Sequence, residues 1–141
     1  LIEKEHTDEF SVGKIRNDLQ ESMEENAKIF RSEETLSKQT EILENLRERY
    51  ENVTIFDKGK VFNTELMEAI ELDYLLDMSE STVASALARK ESRGAHSRQD
   101  FPDRDDSNFM KHSFAFKNGN SANLRYKDVE LGKYEPMERK Y

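Results

Sequence analysis

The sequence predicts a mainly α-helical fold: an antiparallel three-helix bundle of the spectrin-repeat type, then an irregular Arg/Asp-rich loop, a β-hairpin and an extended tail. Three observations support this prediction. Apolar residues recur every three or four positions in three segments of residues 11–94. Charged residues make up 37% of the chain, which is typical of helices with long solvated faces. An Asn-Gly dipeptide near the C-terminus separates two alternating segments.

The length of 141 residues allows one ordinary domain with an extension. We expect residues 1–10 to be a poorly ordered leader and residues 11–94 to form the bundle. Residues 95–141 are then the loop, a hairpin at about 112–127 and a C-terminal tail packed on the bundle. Leu, Ile, Val and Phe together account for 31 residues, so the predicted core is thin.

The first predicted helix follows Ser11, a suitable N-cap, and carries Val12, Ile15, Leu19 and Met23 on one face. These four apolar residues are separated by three or four positions, so they form a single stripe. The segment is therefore expected to pack one side against the rest of the bundle.

The second predicted helix follows Ser32, whose hydroxyl can cap the first backbone amides. Its apolar stripe consists of Leu36, Leu43, Leu46 and Tyr50. The next stretch, residues 52–63, is too short for another helix and contains a glycine in a turn setting, so it is predicted to be a structured connector.

The third predicted helix is apolar around much of its circumference and is expected to be the central, most buried one. Asn63 or Thr64 can cap it, and Phe62 and Met67 are spaced for a hydrophobic staple. One long helix over about 64–92, ending at Gly94 as a C-terminal cap, is preferred to two helices broken near residues 79–81.

The predicted hairpin lies beyond the charged loop. Aromatic and polar residues alternate from His112 to Lys117 and again around Leu124 and Tyr126, with Asn118-Gly119 between them. Asn-Gly in this setting is the strongest short hairpin signal.

Composition excludes several functions. Acids outnumber bases by 30 to 22, which disfavours a nucleic-acid partner. The absence of cysteine excludes disulfides, thiolate catalysis and Cys-ligated metals in this chain. No apolar run reaches the roughly 18–20 residues of a membrane span, so we expect no direct membrane insertion.

A search for catalytic, cofactor-binding and metal-binding residues gives none. The five glycines are too dispersed for a phosphate-binding loop, and His6, His96 and His112 lack ligand spacing. Asp105 and Asp106 have the chemistry for acid–base work or for binding a hard cation, but the adjacent Arg104 favours a structural ion pair.

Charge divides the chain at Arg89. Residues 1–88 hold 21 acids and 10 bases, whereas residues 89–141 hold 9 acids and 12 bases. Such asymmetry marks either two surfaces with different partners or an acidic bundle with a basic extension folded against it.

One stretch of the sequence resembles a known family. ESRGAH at residues 91–96, followed by an Arg, an Asp, a Pro, Arg-Asp-Asp and Lys-His-Ser, is similar to the C-terminal domain of the flavoprotein subunit of succinate dehydrogenase and fumarate reductase. ENLRERYENV, KGKVFNTELMEAIELDYLLDM, SALARKESRGAH and the terminal ERKY extend the resemblance from Val12 to Tyr141.

The resemblance implies that the parent subunit exchanges a hydride between succinate or fumarate and covalently bound FAD, and passes electrons to an iron–sulfur subunit and quinone. The family's flavin and catalytic motifs lie in preceding FAD and capping domains and are absent here, so this chain alone is expected to be inactive. It would buttress the FAD domain of its own polypeptide, contacting the FAD and capping domains and the iron–sulfur subunit. The complex would be peripheral, on the cytoplasmic or mitochondrial matrix side of the respiratory membrane.

Alternatives to this assignment are the equivalent domain of L-aspartate oxidase or another related flavoprotein, and a free-standing helical adaptor. The candidate interdomain residues are all charged or titratable and lie after the third helix: Arg93, His96, Arg98, Asp100, Arg104, Asp105 and Asp106. Two interpretations of Arg93 and His96 stay open. Either they join a network between domains, or the arginines pair with Asp100 or Asp106 in a lock within this domain.

Overall fold

The computed structural model describes residues 9–119 and 121–137. The described chain is mainly α-helical, with two small pairs of strands. The helices are α1 (Val12–Asn26), α2 (Glu33–Glu51), α3 (Thr64–Ala88) and α4 (Asp106–Phe109), and the strands are β1 (Phe30–Arg31), β2 (Ser97–Arg98), β3 (Lys111–Asn118) and β4 (Ser121–Asp128).

The three long helices begin at the predicted caps. The Ser11 hydroxyl accepts a hydrogen bond from a first-turn amide of α1. The Ser32 hydroxyl does so for α2, where the Thr35 side chain returns a bond to the Ser32 amide and completes a capping box. The Asn63 side chain caps α3. Each cap satisfies an amide that would otherwise lack a partner in the helix.

The three long helices share one apolar core. Its buried residues are Val12, Ile15, Leu19, Ala27, Leu36, Leu43, Leu46, Ala69, Leu72, Leu76, Val83 and Ala86. Asn26 at the end of α1 donates to Gln39 near the start of α2, at 3.0 Å. Arg49 at the end of α2 donates to Asp18 in the first half of α1, at 2.8 Å. These two bonds show that α1 and α2 run antiparallel.

Helix α3 is unbroken, as preferred from the sequence, but it ends at Ala88 and is not the most buried helix. Six of its large apolar residues are exposed: Leu66, Met67, Ile70, Tyr74, Leu75 and Met78. The expectation of burial is wrong because α1, α2 and the β3–β4 hairpin leave part of the circumference of α3 uncovered. These six apolar residues are therefore exposed in this chain.

Two predictions for the ends of α3 are also wrong. Phe62 is 95% exposed with φ 52°, so it forms no hydrophobic staple with Met67. The C-cap is Arg89. Gly94 lies beyond it with φ 59°, in a tight turn closed by reciprocal backbone hydrogen bonds between Arg93 and His96. Its positive φ serves this turn and not the helix end.

The connector before α3 is held by side-chain bonds to its backbone. Asp57 Oδ1 accepts from the Gly59 amide at 2.7 Å, and the Glu65 carboxylate accepts from the Phe56 and Asp57 amides. The Thr54 amide donates to the Phe10 carbonyl at 3.1 Å. The last residues of the expected leader, 9–10, are therefore tied to the fold, and residues 1–8 lie outside the described residues.

Strands β1 and β2 form a short parallel pair that the sequence analysis missed. Phe30 lies opposite Ser97 and Arg31 opposite Arg98. The pair joins the segment after α1 to the charged loop after α3. Pairing between segments so distant in sequence leaves no local pattern, which explains why it was not predicted.

The hairpin of β3 and β4 confirms the Asn-Gly prediction, within one residue at each end. Asn118 pairs with Ser121 across the turn, and Gly119 has φ 60°. The tail after β4 has no regular secondary structure through residue 137. Its large apolar side chains, Leu131, Tyr134 and Met137, are exposed, so these three do not pack on the helices as expected. None of the helices in the described residues is long and apolar enough to cross a membrane.

Candidate functional site

The charged segment after α3 folds around one buried carboxylate, Glu91. Glu91 Oε1 lies 2.7 Å from Arg89 Nη1 and 2.8 Å from Arg93 Nε. Its Oε2 accepts from the Asp105 amide at 2.7 Å. Burial raises the pKa of the Glu91 carboxyl, but the bonds from Arg93, Asp105 and Arg89 outweigh burial and leave the pKa below its ordinary value. Glu91 is therefore an ionised structural anchor.

Arg98 is a second anchor, and its side chain is fully buried. It forms a bidentate pair with Asp100, at 2.8 Å and 2.7 Å, and donates to Glu33 at 3.0 Å. Its Nη1 donates to the Ala86 and Leu87 carbonyls at the end of α3. The bond from Arg98 holds the pKa of Asp100 well below its usual range. Arg98 thus links the start of α2 and the end of α3 to the loop.

Asp106 joins two arginines on the outer side of this segment. Its Oδ1 lies 2.6 Å from Arg93 Nη2, and its Oδ2 lies 2.9 Å from Arg104 Nη2. The neighbouring Asp105 instead caps α4 by accepting from the amide and side chain of Asn108. Asp106 therefore forms the ion pair with Arg104 that the sequence favoured, whereas Asp105 acts as a helix cap. No metal-binding group of His, Cys, Asp and Glu is found in residues 9–119 and 121–137.

His96 is held as a neutral imidazole. Its Nδ1 lies 3.0 Å from Arg31 Nη1, and its Nε2 lies 3.0 Å from the Arg89 carbonyl oxygen. A guanidinium only donates and a carbonyl only accepts, so the ring proton is on Nε2. Burial lowers the pKa of His96, the Arg89 carbonyl opposes this, and the positive charges of the nearby arginines lower the pKa further.

Arg31 differs from the other arginines of this segment. Its Nε donates to the Ala27 and Lys28 carbonyls, at 3.2 Å and 2.7 Å, and its Nη1 to His96. Burial lowers the pKa of Arg31. Arg31 lines an open cleft of about 410 Å³ whose other lining residues are Ser81, Thr82, Ser85, Ala86, Arg89, His96, Ser113 and Ala115.

The second charged cluster lies between the helices. Arg47 of α2, almost fully buried, donates to Asp73 and Asp77 at 2.6 Å each and to Glu80 at 3.0 Å, all on α3. Asp77 also accepts from Lys117 of β3 at 2.8 Å. The cluster therefore joins α2, α3 and the hairpin.

The structure brings all seven predicted residues together, in groups around different partners. Arg93, Arg104 and Asp106 are linked to each other, whereas Arg98 and Asp100 are paired at Glu33. The prediction that Arg98 contacts another domain directly is wrong. Its side chain has no exposed surface, and its donors are used within the chain.

The sequence analysis missed Glu91, Glu33 and Arg31 as members of this site. Alternation of Arg89, Glu91 and Arg93 was a usable signal for the Glu91 pairs. For Glu33 the sequence analysis considered only its favourable position at the start of a helix. Its bond from Arg98 depends on the pairing of β1 with β2, which are far apart in sequence. The same pairing brings Arg31 to His96, so local sequence held no signal for it.

The sequence of this chain matches a known protein family. The profile of the family "Fumarate reductase flavoprotein C-term" matches residues 16–141. The chain belongs to this family of C-terminal flavoprotein domains.

Individual relatives are flavoprotein subunits of two named enzymes. The chain is 40% identical to a fumarate reductase flavoprotein subunit of Haemophilus influenzae, over 93% of this chain and 22% of that protein. It is 42% identical to a succinate dehydrogenase flavoprotein subunit of Rickettsia bellii, over 86% of this chain and 20% of that protein. The chain thus spans about a fifth of the length of these relatives.

Solved structures share the fold. A variant of Escherichia coli quinol fumarate reductase matches with a TM-score of 0.87 at 40% identity, over 91% of this chain and 22% of that chain. Adenylylsulfate reductase of Archaeoglobus fulgidus matches with a TM-score of 0.77 at 24% identity, over 86% of this chain and 20% of that chain. At that identity the second match shows a common fold only.

Proposed function

We propose that this chain is the C-terminal module of the flavoprotein subunit of a succinate dehydrogenase or fumarate reductase. The observation that carries the proposal is the match to Escherichia coli quinol fumarate reductase, at TM-score 0.87 and 40% identity. The parent subunit interconverts succinate and fumarate with FAD and passes electrons to an iron–sulfur subunit and quinone. It lies peripherally, on the cytoplasmic or mitochondrial matrix side of the respiratory membrane.

The module stabilises the parent and supplies no catalytic group. This is supported by the state of its acids: Glu91 and Asp106 have lowered pKa values because arginines bind them. A carboxylate held ionised by two arginines is poorly suited to proton transfer near neutral pH. The residues also do not fit a flavin site, because Gly94 and Gly119 lie in tight turns and none of the five glycines forms a phosphate-binding cluster. FAD belongs to the preceding part of the subunit.

The module is an antiparallel three-helix bundle of the spectrin-repeat type over residues 11–94, with residues 95–141 as its extension. Two contacts support an antiparallel α2 and α3. Arg98 joins Glu33 at the start of α2 to the last carbonyls of α3, while Arg47 near the end of α2 binds Asp73 in the first half of α3. The shared core supports independent folding of this unit.

The charged loop contributes to the interface with the FAD and capping domains and with the iron–sulfur subunit. Arg93, Arg104 and Asp106 remain candidates, because their side chains are partly exposed. His96 positions Arg31 for the same role. Asp100 and Asp105 act indirectly, by orienting Arg98 and α4.

A domain graft tests the proposal. The chain replaces the matching segment of the Escherichia coli fumarate reductase flavoprotein subunit, to which it is 43% identical over 131 residues. We expect the grafted subunit to retain bound flavin and to reduce fumarate with an artificial electron donor. A subunit without the segment and one carrying an unrelated helical bundle are the controls. A monodisperse graft that binds no flavin would contradict the proposal.

A further inference from the structure

We propose that the outer face of α3, together with Arg31, docks on the preceding part of the same polypeptide, and that a carboxylate of that part pairs with Arg31. The inference rests on the proposed function and identifies the surface that performs it. The outer face of α3 differs from the charged loop around Glu91 and meets it at Arg31, which is bonded to His96. None of the seven predicted interface residues lies on α3.

The outer face is a continuous stripe of α3. Its members recur every three or four residues: Met67, Glu71, Tyr74, Leu75, Met78, Ser81, Thr82 and Ser85. At 100° per residue they fall within about 120° of the helix circumference. The buried residues Ala69, Leu72, Leu76 and Val83 lie on the other side. The stripe therefore lies away from the core.

The first half of the outer face is open and mostly apolar, and its charged member, Glu71, lies 3.8 Å from Arg16 of α1. Met67, Tyr74 and Met78 are 59%, 64% and 67% exposed. Tyr74 and Met78 also line a shallow cleft of about 280 Å³. Several large apolar side chains aligned on one helix face indicate an interaction site, whereas single exposed ones do not.

The second half of the outer face is small and polar, and it leads to a cation. Ser81, Thr82 and Ser85 line the cleft that Arg31 also lines. Arg31 is half-buried, and within the described residues no carboxylate lies within 4.0 Å of it. Arg98, its partner in the β1–β2 pair, has two carboxylates. A half-buried cation without a counter-charge is unfavourable, and a planar guanidinium is suited to bind a carboxylate in a bidentate manner.

The occupant follows from the length of the relatives. The chain covers 22% of the fumarate reductase flavoprotein subunit of Haemophilus influenzae, so most of such a polypeptide lies outside it. A covalently linked domain is present at high effective concentration. It can bury an apolar helix face and supply one acidic side chain at its end. The expected partner surface is therefore apolar opposite Met67 to Met78 and carries an Asp or Glu opposite Arg31.

Methionine oxidation measures coverage of the outer face directly. Free chain and grafted subunit are treated with dilute hydrogen peroxide, and the sulfoxide at each methionine is followed by mass spectrometry. We expect oxidation of Met67 and Met78 to slow by about tenfold in the graft, because oxidation follows exposure. Met137, which is 85% exposed and lies in the tail, is the internal control and should change little.

The outcomes separate the two proposals. An active graft in which Met67 and Met78 oxidise as fast as in the free chain would overturn the docking surface and leave the proposed function intact. A graft without flavin or activity would overturn the proposed function. Slow oxidation in the free chain, with a dimer mass by light scattering, would assign the face to a second copy and also overturn the docking inference.

Arg31 is tested by comparing variants in both settings. Arg31→Gln in the free chain should change the melting temperature little, since a half-buried unpaired charge is removed together with its bonds. In the graft it leaves a carboxylate unpaired, and we expect the ratio of folded to unfolded protein to fall by about 30-fold or more relative to the free chain. Arg31→Lys should restore this ratio only in part. Arg125→Gln, at an exposed hairpin arginine, is the matched control, and equal effects in both settings would contradict the proposed ion pair.

Discussion

Arg31 and Arg98 lie opposite each other in the β1–β2 pair, yet their surroundings differ completely. Arg98 is fully buried and binds Asp100, Glu33 and two helix-end carbonyls. Arg31 is half-buried and binds two carbonyls and a neutral imidazole. The comparison teaches that the chain completes its own charge network on the Arg98 side and leaves it incomplete on the Arg31 side.

The two faces of α3 repeat this contrast with apolar residues. Leu72, Leu76 and Val83 are buried against the other helices, whereas Tyr74 and Met78 on the outer face are open. Substitutions in the completed part should therefore act on the chain alone. Substitutions on the open part should act only when the rest of the subunit is present.

The largest expected effect in the completed part is that of Glu91→Ala. It removes a fully buried carboxylate that binds Arg89, Arg93 and the Asp105 amide. Leaving such charges unpaired costs roughly 3–5 kcal/mol. We expect urea unfolding of the free chain to show a loss of that size. A loss under about 1 kcal/mol would mean that the network around Glu91 adds little stability, in conflict with its burial.

Arg93→Ala should have a smaller effect. Arg93 binds Glu91 and Asp106 but is partly exposed, and Glu91 retains its other partners. The expected loss is about 1–2 kcal/mol in the free chain. Urea unfolding of Arg93→Ala and Arg93→Lys, measured side by side, tests whether the planar guanidinium of Arg93 is needed or a positive charge is enough. An unchanged free chain with impaired flavin binding in the graft would instead favour an interdomain role for this residue.

Gly94→Ala tests the turn that brings His96 back to Arg93. Gly94 has φ 59°, and a Cβ there would meet no atom within 4 Å. Backbone strain is therefore the only penalty, at about 1 kcal/mol. Gly13→Ala, in α1 and equally free of contacts, is the matched control and should be neutral or stabilising. A neutral Gly94→Ala would show that the turn does not depend on this conformation.

The pH dependence around His96 should be the smallest effect. The folded pKa lies below its ordinary value of 6.5, so the unfolded chain binds the proton more readily. Stability is then complete above pH 6.5 and falls as pH decreases below it. Thermal melting between pH 7 and 5.5 should show this slope. His96→Gln should reduce the slope, and an unchanged slope would assign it to another group.

Much of the helical framework could be predicted because its determinants are local. Ser11, Ser32 and Asn63 cap the helices as expected, and Asn118-Gly119 forms the hairpin turn. The degree of burial of α3 could not be predicted, since hydrophobicity does not say whether a face is covered by this chain or by another domain.

The candidate site was predictable in composition but not in pairing. Arg93 and Asp106 meet as the intradomain interpretation proposed. Glu33 and Arg31 join the site through the parallel β1–β2 pair, which brings together segments on either side of two long helices. Such contacts depend on the complete fold, so no sequence window contains them.

The central claim is that the residues around Glu91 find all their partners within this chain, whereas the outer face of α3 needs the rest of the subunit to cover it. The most direct test compares the melting temperatures of Glu91→Ala and Met78→Glu in the free chain and in the grafted subunit. We predict that Glu91→Ala lowers both temperatures, whereas Met78→Glu lowers only that of the graft. Equal destabilisation of the free chain by Met78→Glu, or no effect of it in either setting, would contradict the claim.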